Sequence, residues 1–191
     1  MYIEPKIESS YQKNNLGYTI YKTILELKPK IVVDFGILYG YSTIAIAQAL
    51  KDLDQGGKVI GYDLFEDYEY KNAVESVVKK NIDEYDVSNF VELKYGDFYK
   101  WIDNPDDFDL LHLDISNTGN IIDLAVKKLP NKDIIFEGGS KERDEEEWVE
   151  KYNKSGTANF NAMVEGIRKA IKANPNDKQL HTAIFMYLSS A

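Results

Sequence analysis

Five acidic residues fall where predicted β-strands end: Asp34, Asp63, Asp97, Asp114 and Glu137. A carboxylate offers two acceptor oxygens, so it can take both hydroxyls of a diol, an exocyclic amine or an ammonium group. In a parallel α/β sheet these acids would project at the one edge where ligands bind. Each acid alone reads as a structural loop residue. Five at consecutive strand ends read as a set. After the first of them, Asp34-Phe35-Gly36-Ile37-Leu38-Tyr39-Gly40 runs into the helical pattern that opens at Ser42. Gly36 can turn the chain where a Cβ would clash and lets backbone approach a ligand. The helix start offers N–H groups to a negatively charged group such as a carboxylate. A dinucleotide loop would prefer G-x-G-x-x-G. Here Leu38 stands where the middle glycine would fall, and the acid precedes the first glycine.

The elements that hold these residues follow from hydrophobic periodicity. Leu16, Ile20, Thr23, Ile24 and Leu27 recur at helical spacing and stop at Lys28-Pro29. Apolar β-favouring runs predict strands over 30–35, 58–63, 90–95, 108–114 and 133–137, with a last strand over 180–188. Between them, Ile44, Ala47 and Leu50 mark one helix face. Ala73, Val74, Val77, Val78 and Ile82 are expected inward on the next, and Trp101-Ile102 suggests a short helix. Ile121 to Leu129 gives another, and helices are expected over 141–152 and 161–173. Strands alternating with helices predict an α/β fold, doubly wound, with a mostly parallel sheet and helices on both faces. The chain reads as a single domain over 1–191, with 1–29 as a helical cap segment.

Composition narrows the function classes. The 191 residues suit one sizeable core, and no apolar run approaches the ~20 residues of a membrane helix. Met1 to Lys6 lacks the pattern of a secretory signal, so a cytoplasmic location is expected. There is no cysteine, which excludes disulfides and cysteine-held zinc. The formal net charge is -9, and Lys79-Lys80 and Lys127-Lys128 form no basic stripe. Nucleic acid and anionic membrane surfaces are therefore not expected partners. The acid run Asp144 to Glu147 reads as a solvated helix face.

Taken in order, the motifs resemble those of class I S-adenosylmethionine (SAM)-dependent methyltransferases over roughly residues 20–140. Asp34 to Gly40 is similar to their first motif, an acid-x-G-x-G-x-G pattern from which Leu38 departs. Asp63 resembles their ribose-binding acid, and Gly96-Asp97-Phe98 their adenine-contacting motif. Phe108-Asp109-Leu110-Leu111-His112-Leu113-Asp114 is similar to the motif beside the methyl-transfer site. The resemblance implies SAM as cofactor, held by Asp34, Gly36, Leu38, Tyr39, Gly40, Ser42, Asp63, Leu64, Gly96, Asp97, Phe98 and Asp114. The family usually closes its sheet with a reversed hairpin, whereas here one closing strand is found. The carboxyl end is thus read as shortened, with that strand open to an antiparallel placement.

The implied reaction is methyl transfer to an oxygen or nitrogen of a small-molecule acceptor. Asp114 is the candidate base. His112 lies two residues earlier on the same strand face and reads as a buried, satisfied histidine more often than as a catalyst. Some O-methyltransferases of this fold hold Mg²⁺ with acids at the places of Asp114 and Glu137. Gly138-Gly139 stand where a further oxygen ligand is expected, Asn117 could substitute, and the metal-free reading is preferred. Gly138 to Asp144 reads equally as a substrate loop or a plain helix cap. Ser9, Ser10 and Tyr11 are minor candidates for covering a substrate. A homodimer is left open. The rival readings are an NAD(P)-dependent oxidoreductase and a non-catalytic binding or scaffold relative.

Overall fold

A computed structural model describes residues 1–9, 11–12, 15–68, 72–115, 119–137 and 184–186. Contacts divide the chain into Met1–Leu111 and His112–Ala191. In the first unit, helix α1 (Leu16–Leu27) precedes strand β1 (Ile31–Phe35), and helix α2 (Tyr41–Leu53) precedes β2 (Lys58–Asp63). Helix α3 (Glu75–Glu84), β3 (Val91–Tyr95) and the four-residue helix α4 (Phe98–Trp101) follow. Strand β4 (Leu110–Leu113) spans the division, and helix α5 (Gly119–Lys128), β5 (Asp133–Glu137) and β6 (Ile184–Met186) complete the described elements.

The strand order is β3-β2-β1-β4-β5-β6. The β1–β2 and β2–β3 pairs are parallel, with Phe35 opposite Tyr62 and Tyr62 opposite Lys94. Succession along the sheet reverses beside β1, and open α/β sheets bind ligands at the strand carboxyl ends of such a place. Val32, Val33, Asp34 and Phe35 are all buried, so both faces of β1 are covered. One face receives α2, whose apolar side includes Ile44, Ala47 and Leu50. On the other, Phe35 stacks on Tyr62 at 4.8 Å and meets Phe98 edge-on at 5.4 Å, with Trp101 at 5.0 Å. β3 is the sheet's edge, and Lys58–Glu92 (2.6 Å) and Lys94–Asp106 (3.5 Å) ion pairs place charge along it. Charge on an edge discourages further strand pairing.

One expectation is corrected, and one placement left open is settled. Helix α3 begins at Glu75, so Val74 is its N-cap residue and is exposed, as is Val77. Val78 and Ile82, four residues apart, share the buried face, and Val77 lies about 100° away from Val78 around the helix. The final strand, described at Ile184–Met186, pairs with β5 in parallel rather than antiparallel. The stretch 138–183 is far longer than the dozen or so residues that a parallel crossover needs. The helices expected over 141–152 and 161–173, the loop Gly138 to Asp144, Ser10 and Asn117 lie outside the described residues.

Candidate active site

The carboxyl ends of β1, β2 and β3 are stitched to one another by backbone. Gly36 N–H donates to the Tyr62 carbonyl at 3.2 Å, and Gly96 N–H to the Asp63 carbonyl at 3.0 Å. The loop after β1 closes through Gly40 N–H to the Ile37 carbonyl at 2.7 Å. Gly36 and Gly40 have φ of 84° and 91°, and a Cβ on Gly40 would meet Val78 Cγ1 at 3.3 Å. Both needs explain glycine there. Gly40 is also the N-cap residue of α2, and no side chain caps that helix. Its first turn therefore keeps N–H groups for a ligand. Tyr39 is half-buried, and its carbonyl accepts from Asn81 Nδ2 at 2.9 Å.

Asp34 is fully buried on the α2 face of β1. Its Oδ2 accepts from Ser42 Oγ at 3.1 Å and Thr43 Oγ1 at 2.6 Å. It thus fastens the first turn of α2 to the strand end. Thr43 was not singled out from the sequence. The signal was available, because hydroxyl residues in a helix's first turn readily bond nearby acceptors.

Asp63 ends β2 with a half-buried carboxylate. Oδ2 accepts from Leu38 N–H at 3.0 Å and Oδ1 from Phe65 N–H at 2.8 Å. Burial raises its carboxyl above the ordinary range, the Phe65, Leu38 and Leu64 N–H groups oppose that rise, and the Asp34 charge adds to it. Leu64, half-exposed, opens a single 3₁₀ turn over Phe65–Asp67.

At the end of β3, Gly96 leaves no room for a Cβ, which would sit 2.6 Å from Tyr62 Cδ1. Asp97 is the N-cap of α4, its Oδ1 accepting from Lys100 N–H at 3.1 Å. Phe98 is buried among Phe35, Trp101 and Tyr99 rather than open to a ligand. The exposed aromatics at this strand end are Tyr95 and Tyr99. Below them, the Tyr62 hydroxyl donates to Asp106, and Lys94 lies 5.6 Å over the Tyr62 ring.

An amino-terminal strap crosses α2 next to Gly40. Glu4 accepts from the Tyr2 hydroxyl at 2.6 Å and from the Tyr41 hydroxyl, and burial with the Glu4 charge pushes both phenols up. Gln48 exchanges two hydrogen bonds with the backbone of Ile3, at 2.7 and 2.9 Å. Tyr11 packs edge-on against Tyr41 at 5.7 Å, and Ser9 Oγ accepts from Tyr11 N–H at 3.2 Å. The contacts to Tyr41 and Gln48 join residues far apart in sequence, and nothing local in the sequence marks them.

In the second unit, His112 is fully buried in β4, and Asp114 follows that strand half-exposed. The side chain of Glu137 lies outside what is described. Among the described residues, no group of three or more His, Asp or Glu is placed to hold a metal ion. Nor is any described helix long and apolar enough to cross a membrane.

A family model described as a methyltransferase domain matches residues 33–136, more than half of the chain. An O-methyltransferase from Bacillus cereus in complex with SAH is 21% identical over 65% of this chain and 54% of its own, with a TM-score of 0.49. TomG from Streptomyces achromogenes, an O-methyltransferase of tomaymycin synthesis in complex with SAM, is 18% identical over 64% and 53%, with a TM-score of 0.48. A methyltransferase from Geobacter sulfurreducens is 17% identical over 68% and 60%, with a TM-score of 0.49. The chain spans about half the length of the solved structures it matches. No curated protein matches it. The family match encloses the acid-glycine loop, Asp63, Gly96-Asp97 and the β4 motif, and the chain belongs to the methyltransferase-domain family to which those motifs pointed.

Proposed function

We propose that this chain is a SAM-dependent methyltransferase acting on an oxygen or nitrogen of a small-molecule acceptor. The observation that carries the reading is Asp63. Its carboxylate is half-exposed at the end of β2, with Leu38 N–H on one oxygen, Phe65 N–H on the other and the Leu64 N–H beside them. A carboxylate has roughly four lone-pair sites, so it keeps acceptor capacity for a hydroxyl of a ribose diol. The residues around it fit the rest of such a cofactor. Gly36, Leu38, Tyr39 and Gly40 present backbone, and the uncapped start of α2 at Ser42 suits a carboxylate. Asp34 acts through the turn it holds at Ser42 and Thr43. Leu64, Gly96, Asp97 and Phe98 shape the region beyond Asp63, where Tyr95 and Tyr99 offer open rings.

The bound cofactor supplies an electrophilic methyl on a sulfonium. The protein's share is alignment, which can contribute several kcal/mol, up to roughly 7–11 in ideal intramolecular cases. Asp114 is the proposed base for an acceptor that must lose a proton and belongs to the proposed cofactor set as well. Full burial makes His112 the weaker candidate. Mg²⁺ is not part of this reading. A single domain, a cytoplasmic location and a small-molecule partner belong to the same proposal, which leaves a homodimer open.

Calorimetric titration with S-adenosylhomocysteine, with NADH in parallel, tests it. Binding of the former alone is expected. Binding of NADH alone would revive the oxidoreductase, and binding of neither would leave a non-catalytic relative. Once an acceptor is known, Asp114→Asn is expected to cut turnover by about 100-fold or more while weakening cofactor affinity far less, since the amide keeps one acceptor oxygen. A fully active variant removes Asp114 as the base.

A further inference from the structure

Two large apolar residues, Leu38 and Phe65, stand in the left-handed region, with φ of 46° and 47°. The other described non-glycine residues with positive φ are Asn15, Lys28, Asp54 and Asp86. Asparagine and aspartate tolerate that conformation comparatively well, whereas a bulky side chain there is an outlier that its surroundings must hold. Leu38 lies in the loop after β1, at the place where the glycine pattern fails. Phe65 lies in the loop after β2. The same side chain holds both: Asp63 Oδ2 takes the Leu38 N–H at 3.0 Å and Oδ1 takes the Phe65 N–H at 2.8 Å. The second is a local turn made by an aspartate with the residue two places on. The first reaches across to the neighbouring strand's loop.

We propose that Asp63 is a clamp that keeps the β1 and β2 loops in their strained left-handed geometry, one carboxylate oxygen per loop, and that this role replaces the missing glycine at Leu38. The clamp is set before any ligand arrives, so it stands apart from the cofactor reading. The charged side chain that faces it is Asp34, itself bonded to Ser42 and Thr43. Loss of the carboxylate frees both loops. A glycine at 38 frees the first loop from needing it, since glycine adopts positive φ without a Cβ penalty.

The test is amide hydrogen exchange on the ligand-free full chain, read at Gly40 N–H for the first loop and Phe65 N–H for the second. Asp63→Ala is expected to speed exchange at both by about tenfold or more. Adding Leu38→Gly is expected to restore protection at Gly40 and leave Phe65 fast. Asp54→Gly relieves the same dihedral at the end of α2, away from Asp63, and is expected to restore neither loop. Unchanged exchange in Asp63→Ala overturns the clamp. So does rescue of neither loop, or of both equally, by Leu38→Gly. Should Asp63→Ala fail to fold, Asp63→Asn serves in its place. Its single acceptor oxygen holds one loop while the other loosens, and protection retained at both overturns the proposal.

Discussion

Asp109 and Asp63 each hold backbone N–H groups from at least two residues, at opposite ends of the strands. Asp109, just before β4, takes the N–H groups of Lys30 and Ile31 on one oxygen, at 2.8 and 2.9 Å, and returns its own N–H to the Ile31 carbonyl at 2.8 Å. It is exposed and joins ordinary backbone at the start of β1. Asp63 takes Leu38 N–H on one oxygen and Phe65 N–H on the other, is half-buried, and so bonds two residues that stand in left-handed geometry. Hydrogen-bond count does not separate a structural acid from a site acid. In the proposed reading, burial and the strain of the groups bonded set Asp63 apart from Asp109.

That contrast can be attacked from either end. Gly96→Ala should be the most damaging change, because its Cβ would fall 2.6 Å from a ring carbon of Tyr62 and force the ends of β2 and β3 apart. A loss of about 1–3 kcal/mol in urea unfolding is expected, and a neutral variant would show that the carboxyl end yields easily. Asp109→Ala should cost about 1 kcal/mol, since water can reach the two freed N–H groups. Tyr62→Phe removes the hydroxyl donated to Asp106 and should cost about 0.5–1 kcal/mol, leaving the partly exposed Lys94–Asp106 pair to contribute little.

The smallest effect is a pH slope. Burial raises the Asp63 carboxyl, so the folded chain takes up its proton at higher pH than the unfolded chain does. Between the ordinary carboxylate value and the raised one, the folded state binds more protons, and the contribution of Asp63 to stability falls as pH rises. Urea midpoints measured from about pH 4 to about pH 6 should lose that part of their slope in Asp63→Asn. An identical slope in both proteins would remove the burial effect.

Much of this was legible beforehand. The alternation of strands and helices gave the order of elements because buried strands and amphipathic helices carry distinct apolar periods. The acids at the strand ends were legible as positions. Their occupations were not, since a sequence shows an acid but not which backbone groups have already taken its oxygens. Asp34 serves Ser42 and Thr43, and Asp97 caps α4, each through geometry that forms only after folding. Leu38 read as a defect in a glycine pattern, whereas the chain keeps the left-handed turn and supplies a bond from Asp63. Phe98 read as a cover for an adenine ring and lies buried against Phe35, while Tyr95 and Tyr99 lie open. Val74 and Val77 misled because apolar residues beside a helix start satisfy the period without facing the core.

The most direct test of the central claim is calorimetric titration of S-adenosylhomocysteine into the wild type, Asp63→Ala and Asp109→Ala. Asp63→Ala is expected to weaken binding roughly tenfold to a hundredfold, the loss of charged hydrogen bonds worth about 1.5–3 kcal/mol, and Asp109→Ala to bind within about twofold of wild type. Equal affinity in all three proteins, or no affinity in the wild type, would contradict that claim.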